Sequence, residues 1–321
     1  MITKLRDVTI RQLRALASVA AGGSVTAAAN KLHLTQPAVT LQLRNLQQLC
    51  GLPLLQRTSE GMTLTPAGQE LYTLFERIEA AIDSCATSLD MITGRTGGRI
   101  SIGAVSTAKY FVTFAISSFS KLHPGMDISL TIVNRQDIRQ ALRGYALDLA
   151  IMGHPPPDIE LDTHLIGDHP HVVIAPAGHR LANASGLTAV DLAHEKFLSR
   201  KPGSGTRFLM EQFFEKSNLE PQIGMEMSSN ETIKQAVIAG LGIAFISAHT
   251  VAVELKEGRM ITLDITGLPI IRQWFVVRKK DKVLLPPAQE MLDFLVVNGK
   301  QFLPQAPLGR GGADPRSAPV G

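Results

Sequence analysis

The sequence predicts an α/β protein that begins with a separate all-helical, winged unit. Three observations carry this. Helical periodicity with tight-turn residues fills the first 60 positions. A stretch from Pro66 to about Thr93 holds no proline and no glycine beyond Gly68. From residue 97 to about 303, runs that read as strands alternate with runs that read as helices.

The chain has 321 residues, which suggests two or three compact units, and 45% of them are hydrophobic, enough for a sizeable core. No run approaches the roughly 18 unbroken apolar residues of a membrane span. The N-terminal segment has Arg11 and Arg14 among its apolar positions and lacks a small-residue cleavage site, so it does not read as a signal peptide. Cys50 and Cys85 lack metal or redox spacing. A cytoplasmic protein with plain thiols, no membrane contact, no metal and no resident cofactor is the expectation. The formal charge is +4, and its placement is informative: residues 1–60 hold seven basic and two acidic side chains, whereas the rest holds 25 and 26. A basic surplus confined to one small unit suits contact with a polyanion, although many solvated surfaces are mildly basic.

Thr9 is placed to cap a first helix running to about Ala21, with Ile10, Leu13, Leu16, Ala17 and Ala20 on one face. Gly22-Gly23 stop it. Ser24 caps a second helix from Val25 to Leu32, His33-Leu34 form a tight turn, and Thr35 caps a third helix with Pro37 in its first turn. Val39, Leu43 and Leu46 point the third helix inward, leaving Gln36, Thr40 and Arg44 on the opposite face. Two short helices joined by a tight turn form a helix-turn-helix, whose second helix enters the major groove N-terminus first. Gln36 can bond an adenine edge, Thr40 can touch a thymine methyl and Arg44 can reach guanine or phosphate. The alternative is a three-helix packing unit with a solvated polar face. Leu52–Arg57 and Met62–Leu64 read as the two strands of a wing around Thr58–Gly61, with Arg57 beside the path of a phosphate.

The run LHLTQPAVTLQLRNLQQLCGLPLLQR, followed by LTPAGQ, resembles the DNA-binding signature of the LysR family of transcriptional regulators. Gln47 stands where an acidic residue is common and Leu55 where phenylalanine is usual. Both keep helix and core character. The resemblance implies that Ser24, Thr35, Gln36, Pro37, Thr40 and Arg44 serve DNA binding, with Arg57 on the backbone.

Thr65-Pro66 open a long linker helix. Its apolar stripe of Leu71, Leu74, Phe75, Ile78, Ala81, Ile82, Cys85, Leu89 and Ile92 needs a partner helix, most simply a second copy of itself. Cys85 is expected to be buried filler in that stripe. Gly94, Gly97 and Gly98 end the helix.

Beyond them, strands at 99–105, 128–133 and 147–152 alternate with helices at 109–122 and 137–143. A second set comprises strands at 171–175, 196–199, 224–227 and 243–247 with helices at 206–216 and 231–239. A strand at 271–277 and a helix at 286–297 close the domain. A parallel sheet covered on both faces is expected. Four strand-to-helix junctions are polar, and helix N-termini there favour anions. They carry Ser106 and Thr107, Asn134 and Arg135, Ser204 with Thr206 and Arg207, and Asn230 with Thr232. With Arg200 they suit a small anionic metabolite. The alternative is that Thr206 and Asn230 merely cap their helices.

Enzyme readings are weaker. GSGTR lacks the spacing of a P-loop, Ser204 has no base partner in sequence, and the histidines at 154, 164, 169, 171, 179 and 194 read as turn and surface residues. A free solute receptor would not need the basic helix-turn-helix.

The segments ISIGAVSTAKYF, DLAIMGHPPPD, PGSGTRFLMEQFF and SNETIKQAVIAGLGIAFISAHT resemble the RuBisCO-operon (CbbR) group of that family. The resemblance implies a two-lobed, periplasmic-binding-protein-like effector domain with crossings near residues 167 and 269. The units are then residues 1–65 (winged helix-turn-helix), 66–96 (linker helix) and 97–303 (effector domain). Lobe I takes 97–167 and 270–303, lobe II takes 168–269, and 304–321 form a disordered tail. It also implies control of carbon-fixation genes, with another metabolic operon as the alternative. The implied effector is NADPH or a phosphorylated sugar such as ribulose 1,5-bisphosphate. The implied partners are double-stranded promoter DNA, further copies of the chain in a dimer or tetramer, and RNA polymerase.

Overall fold

The computed structural model describes residues 3–59, 61–93 and 97–307. Gly94, Glu60 and the tail from residue 308, for which helix breaking, a wing turn and disorder were expected, lie outside the described residues. The chain divides into two compact units: residues up to Leu89 with Arg143–Ala146, and the remainder from Asp90.

The first unit opens with α1 (Ile10–Gly22), α2 (Val25–Leu32) and α3 (Gln36–Cys50). A reciprocal capping box starts α1: Gln12 N–H donates to Thr9 Oγ1 and Thr9 N–H to Gln12 Oε1. Gly23, His33 and Gly51 end the three helices in the left-handed conformation. Leu13, Leu16, Val19, Val39 and Leu46 close a core with Leu54. Ile10, expected on the inner face, is 39% exposed because it occupies the first, outward-facing turn.

The wing is a hairpin of β1 (Leu55–Thr58) and β2 (Gly61–Leu64), shorter than the sequence suggested because Leu52 and Pro53 remain outside the ladder. Met62 N–H donates to Gly23 O at 2.8 Å, which fastens the wing to the turn between α1 and α2. Gln47, the departure from the family signature, accepts from Leu54 N–H at 3.0 Å and so anchors the approach to the wing.

α4 (Pro66–Ile92) starts at Thr65, whose hydroxyl accepts from Gly68 N–H and donates to Pro53 O. Leu71 is buried and Phe75 and Ile78 pack on the same core, but Leu74, Ile82 and Leu89 are exposed. Cys85, expected as filler in the stripe that a second copy would cover, is exposed in the single chain. The small helical unit covers only the first turns of a helix that rises about 1.5 Å per residue.

The second unit is a seven-stranded sheet in the order β10-β6-β11-β5-β3-β4, with β9 added on β6, and a separate pair β7-β8. The strands are β3 (Arg99–Val105), β4 (Asp127–Val133), β5 (Leu149–Met152), β6 (Leu161–Pro176), β7 (Phe197–Arg200), β8 (Ile223–Met227), β9 (Ala244–Ser247), β10 (Met260–Thr262) and β11 (Ile270–Lys279). The helices are α5 (Lys109–Leu122), α6 (Arg135–Arg143), α7 (Gly205–Glu215), α8 (Asn230–Ile238), α9 (Ala252–Lys256) and α10 (Pro286–Asn298).

The sheet is mixed rather than parallel. β3 pairs in parallel with β4 and β5, as crossover helices require, whereas β11 is antiparallel to β5 and β6. No helix precedes β6 or β11, so nothing forces them parallel. These two long strands run through both lobes, and the expected strand 171–175 is the second half of one that begins at Leu161. One lobe packs Phe111, Phe119, Met291 and Trp274 on β3 and β5. The other packs Phe197, Phe214 and Phe245 on one side and Ile233, Val237 and Ile246 on the other. Ala306, in the segment expected to be disordered from 304, packs against that second cluster.

A Cβ on Gly68 would lie 2.0 Å from the Leu54 carbonyl oxygen. Gly68→Ala is therefore expected to destabilise the first unit by about 1–3 kcal/mol through overpacking. Urea unfolding of the variant checks this; an unchanged midpoint would show that α4 and the Leu54 segment separate freely.

Candidate functional site

The reading face follows from the packing of α3. Val39 and Leu46 are fully buried and Leu43 nearly so, which turns Gln36, Thr40 and Arg44 outward; all three are exposed, as are Thr35, Pro37 and Arg57. Thr35 Oγ1 caps the helix by accepting from Ala38 N–H. Ser24 is half-buried and accepts from Ala27 N–H at 3.1 Å, so it holds α2 in place beside this face. Leu41, missed from the sequence, is 54% exposed and adds an apolar patch next to Thr40.

The second unit contains a cavity of about 570 Å³ between its lobes. Of the ten effector-site residues inferred from sequence, seven line it: Ser106, Thr107, Asn134, Arg135, Arg200, Ser204 and Thr206. Ser106 and Thr107 occupy the tight turn from β3 to α5. Asn134 starts α6, with its Oδ1 accepting from Asp137 N–H. Ser204 precedes α7 without spending its hydroxyl on a cap, and Thr206 is buried in the first turn of that helix.

Arg207, Asn230 and Thr232 do not line the cavity. Arg207 is turned away by Glu211, at 2.7 Å, and by Glu226. Thr232 is taken up in the start of α8, where Ser229 is the cap and accepts from Thr232 N–H. Asn230 sits one layer behind the cavity, 4% exposed, and its Oδ1 accepts from Arg200 Nη1 at 2.8 Å. The capping alternative for Thr206 and Asn230 fails with these placements, since Ser204 and Ser229 hold the cap positions.

Sequence reasoning missed Lys201, Arg272, His154, His169 and His171, which also line the cavity. Most of these lie on or beside the crossing strands, where no helix start marks them. Arg272 Nη2 donates to His154 Nδ1 at 3.2 Å. The lining thus contains Arg135, Arg200, Lys201 and Arg272, and among the described residues no aspartate or glutamate. Burial lowers the pKa of both Arg135 and Arg200 without approaching neutrality in ordinary buffers.

His169 and His171, expected at turns or on the surface, are instead buried beneath the cavity. They point inward because β6 is covered by both lobes at this point. His169 stacks on Trp274 with ring centroids 3.9 Å apart and lies 2.8 Å from Ser247 Oγ. His171 Nδ1 must donate to His169 O, since a carbonyl only accepts. Trp274 Nε1 donates to His249 Nδ1. Burial holds His171 and His249 down to about 4, and His169 well below its usual value. All three are neutral at pH 7, so the charge of the cavity comes from arginine and lysine. Among the described residues no group of three His, Cys, Asp or Glu is arranged for a metal ion.

Two family models match the chain. Residues 10–69 match the bacterial regulatory helix-turn-helix protein of the lysR family, and residues 93–298 match the LysR substrate binding domain. The chain belongs to the LysR family. It is a LysR-type transcriptional regulator, and the relatives it matches are named as regulators rather than enzymes. The HTH-type transcriptional regulator CbbR of Xanthobacter flavus is 47% identical over 95% of this chain and 92% of its own length. The CbbR of Rhodospirillum rubrum is 42% identical over 89% and 95% respectively. Among solved structures, the Synechocystis PCC6803 CcmR regulatory domain in complex with 2-PG is 35% identical, with a TM-score of 0.60, over 62% of this chain and 96% of that one. Full-length CbnR complexed with its target DNA shares the LysR fold at 20% identity, with a TM-score of 0.63, over 90% and 99%.

Three buried histidines that are neutral in the folded protein gain protons on unfolding once pH falls below their usual value. Their folded values are depressed, so the stability they permit is complete above pH 6.5 and is lost as pH falls toward about 4. Thermal melts across that window should show a falling Tm for the second unit, and His171→Gln should flatten the slope. A Tm independent of pH in this range would contradict the neutral assignment.

Proposed function

We propose that this LysR regulator controls RuBisCO and Calvin-cycle genes in response to a small anionic metabolite held between the lobes of its effector domain. The observation that carries the ligand class is the cavity lining, with Arg135, Arg200, Lys201 and Arg272 and no carboxylate among the described residues. Ser204 adds an uncommitted hydroxyl at the N-terminus of α7, whose free N–H groups and dipole favour an anion. NADPH and phosphorylated sugars such as ribulose 1,5-bisphosphate both present the required negative oxygens. The target genes follow from the near full-length similarity to the CbbR relatives.

The DNA partner is promoter duplex, read by α3 through Gln36, Thr40 and Arg44, with Arg57 of the wing on a phosphate. The exposed stripe of Leu74, Ile82 and Leu89 on α4 pairs with a second copy, giving a dimer with two reading faces, and effector domains pair such dimers into a tetramer. A ligand regulates only through its different affinities for two arrangements of the lobes, and the readout is a changed spacing of DNA-binding units and a changed bend. RNA polymerase is the partner that reads this change, in the cytoplasm. No helix among the described residues is long and apolar enough to cross a membrane.

Gel shifts with a RuBisCO-operon promoter test the DNA side. Gln36→Ala and Arg44→Ala should each cost roughly 1–3 kcal/mol on the specific site if each contacts a base. Unaltered affinity and sequence preference in both would refute the reading face. On the ligand side, Arg200→Gln should weaken the response to ribulose 1,5-bisphosphate or NADPH by at least about tenfold, the scale of one lost charge-assisted hydrogen bond. Footprints of the variant that respond like the wild type would place the effector elsewhere.

A further inference from the structure

A polar cluster outside the cavity lining joins the two lobes, and the effector reading does not use it. Tyr110 and Lys109, in the first turn of α5, belong to the lobe that supplies Arg135. Glu231, in the first turn of α8, belongs to the lobe that supplies Arg200. The Tyr110 hydroxyl donates to Glu231 Oε1, and Lys109 Nζ lies 3.0 Å from the same oxygen. Lys234 Nζ lies 3.0 Å from Glu231 Oε2 and 2.8 Å from Glu254, and it also sits over the Tyr110 ring at 5.1 Å. Lys234 is almost fully buried, so its charge has a fixed place in this arrangement.

The cluster is joined to the cavity by one peptide unit. Asn230, the neighbour of Glu231, accepts from the Arg200 guanidinium, and Arg200 in turn lines the cavity. A movement of Glu231 therefore moves the partner of Arg200. The protonation states suit a fixed contact: burial and Glu231 push the Tyr110 phenol upward, so it remains a donor, while against the upward push of burial Tyr110 and the two lysines together hold Glu231 down to about 2, so it remains a carboxylate.

We propose that Tyr110 and Glu231, backed by Lys109 and Lys234, are a positioning pair for effector binding, holding the lobes at the separation where Arg135 and Arg200 face one space. This rests on the reading of the cavity as the effector site. The pair touches no ligand itself. It acts on affinity by keeping populated the arrangement that binds, since the apparent dissociation constant rises as that fraction falls.

The test uses the full chain and its single tryptophan, Trp274, which stacks on the cavity residue His169 and so reports occupancy by fluorescence. Wild type, Tyr110→Phe, Glu231→Ala and the double variant are titrated with ribulose 1,5-bisphosphate, NADPH and inorganic phosphate, and their Tm values are recorded. Each single substitution should raise the Kd of the bound probe roughly ten- to a hundredfold, the scale of one hydrogen bond to a charged group. The double variant should be no weaker than the poorer single one, because both substitutions break one contact. Lys109→Met, which leaves the Tyr110–Glu231 bond in place, should have a smaller effect.

Wild-type affinity in both single variants, whatever their Tm, would overturn the positioning role and leave the cavity reading standing, as would losses that simply add in the double variant. A wild-type protein whose fluorescence and Tm ignore every probe, or a probe bound equally well by Arg200→Gln, would overturn the cavity reading and the positioning pair with it.

Discussion

The effector half of the molecule depends on one pairing: β6 against β11, antiparallel from Leu161↔Lys279 to Ile270↔His171. Among the described residues these two strands are long enough to belong to both lobes, so the inward side chains they present midway lie between two cores. That single constraint explains why polar groups there are buried. His169, His171 and Arg272 sit where the sheet leaves one core and enters the other, and Trp274, fully buried on the same stretch, fills the space beneath them. The register shift between Trp274 and Phe275 falls in this region too, where a bulge re-aims side chains at the crossing.

Around that axis the two lobes contribute unequal chemistry to the space between them. One supplies hydroxyls and an arginine from the turns after β3 and β4. The other supplies Arg200 and Lys201 followed by the open N-terminus of α7. Acidic residues are present nearby but are spent elsewhere: Asp158 on Arg139, Glu226 and Glu211 on Arg207, Glu231 on Lys109 and Lys234. Among the described residues Arg200, Lys201 and Arg272 face the cavity outside any ion pair with a carboxylate, while Arg135 feels the nearby Asp158; cations so placed attract an anion from water rather than stabilise the fold.

Much of this was legible in the sequence where a local rule applies. The caps Thr9, Ser24, Thr35 and Thr65 mark helix starts because their hydroxyls must satisfy free N–H groups, and periodicity separates Val39 and Leu46 from Gln36, Thr40 and Arg44. Helix-start logic also found six of the seven cavity residues, Arg200 being read from its charge. It failed where the decisive partner is distant in sequence. Arg207 looks as available as Arg200 until β8 brings Glu226 beside it, and Thr232 looks like a ligand hydroxyl until Ser229 takes it up. The histidines looked superficial because their alternation along a strand reads as one buried and one exposed face, whereas β6 is covered on both. Direction of strands was likewise hidden: alternation of β and α suggests parallel neighbours, and only the return paths without helices reveal the mixed sheet.

The hydrogen bond from Met62 to the Gly23 carbonyl has a consequence for how such a regulator can change over time. It welds the hairpin to the bend between the first two helices, and Gly61 leaves no room for a side chain between them. The nucleotide-reading head is therefore a stiff plate. Under the proposed dimer, metabolic signals alter how far apart two plates stand on a promoter but not the letters each one recognises, so spelling and spacing of the target evolve under separate controls.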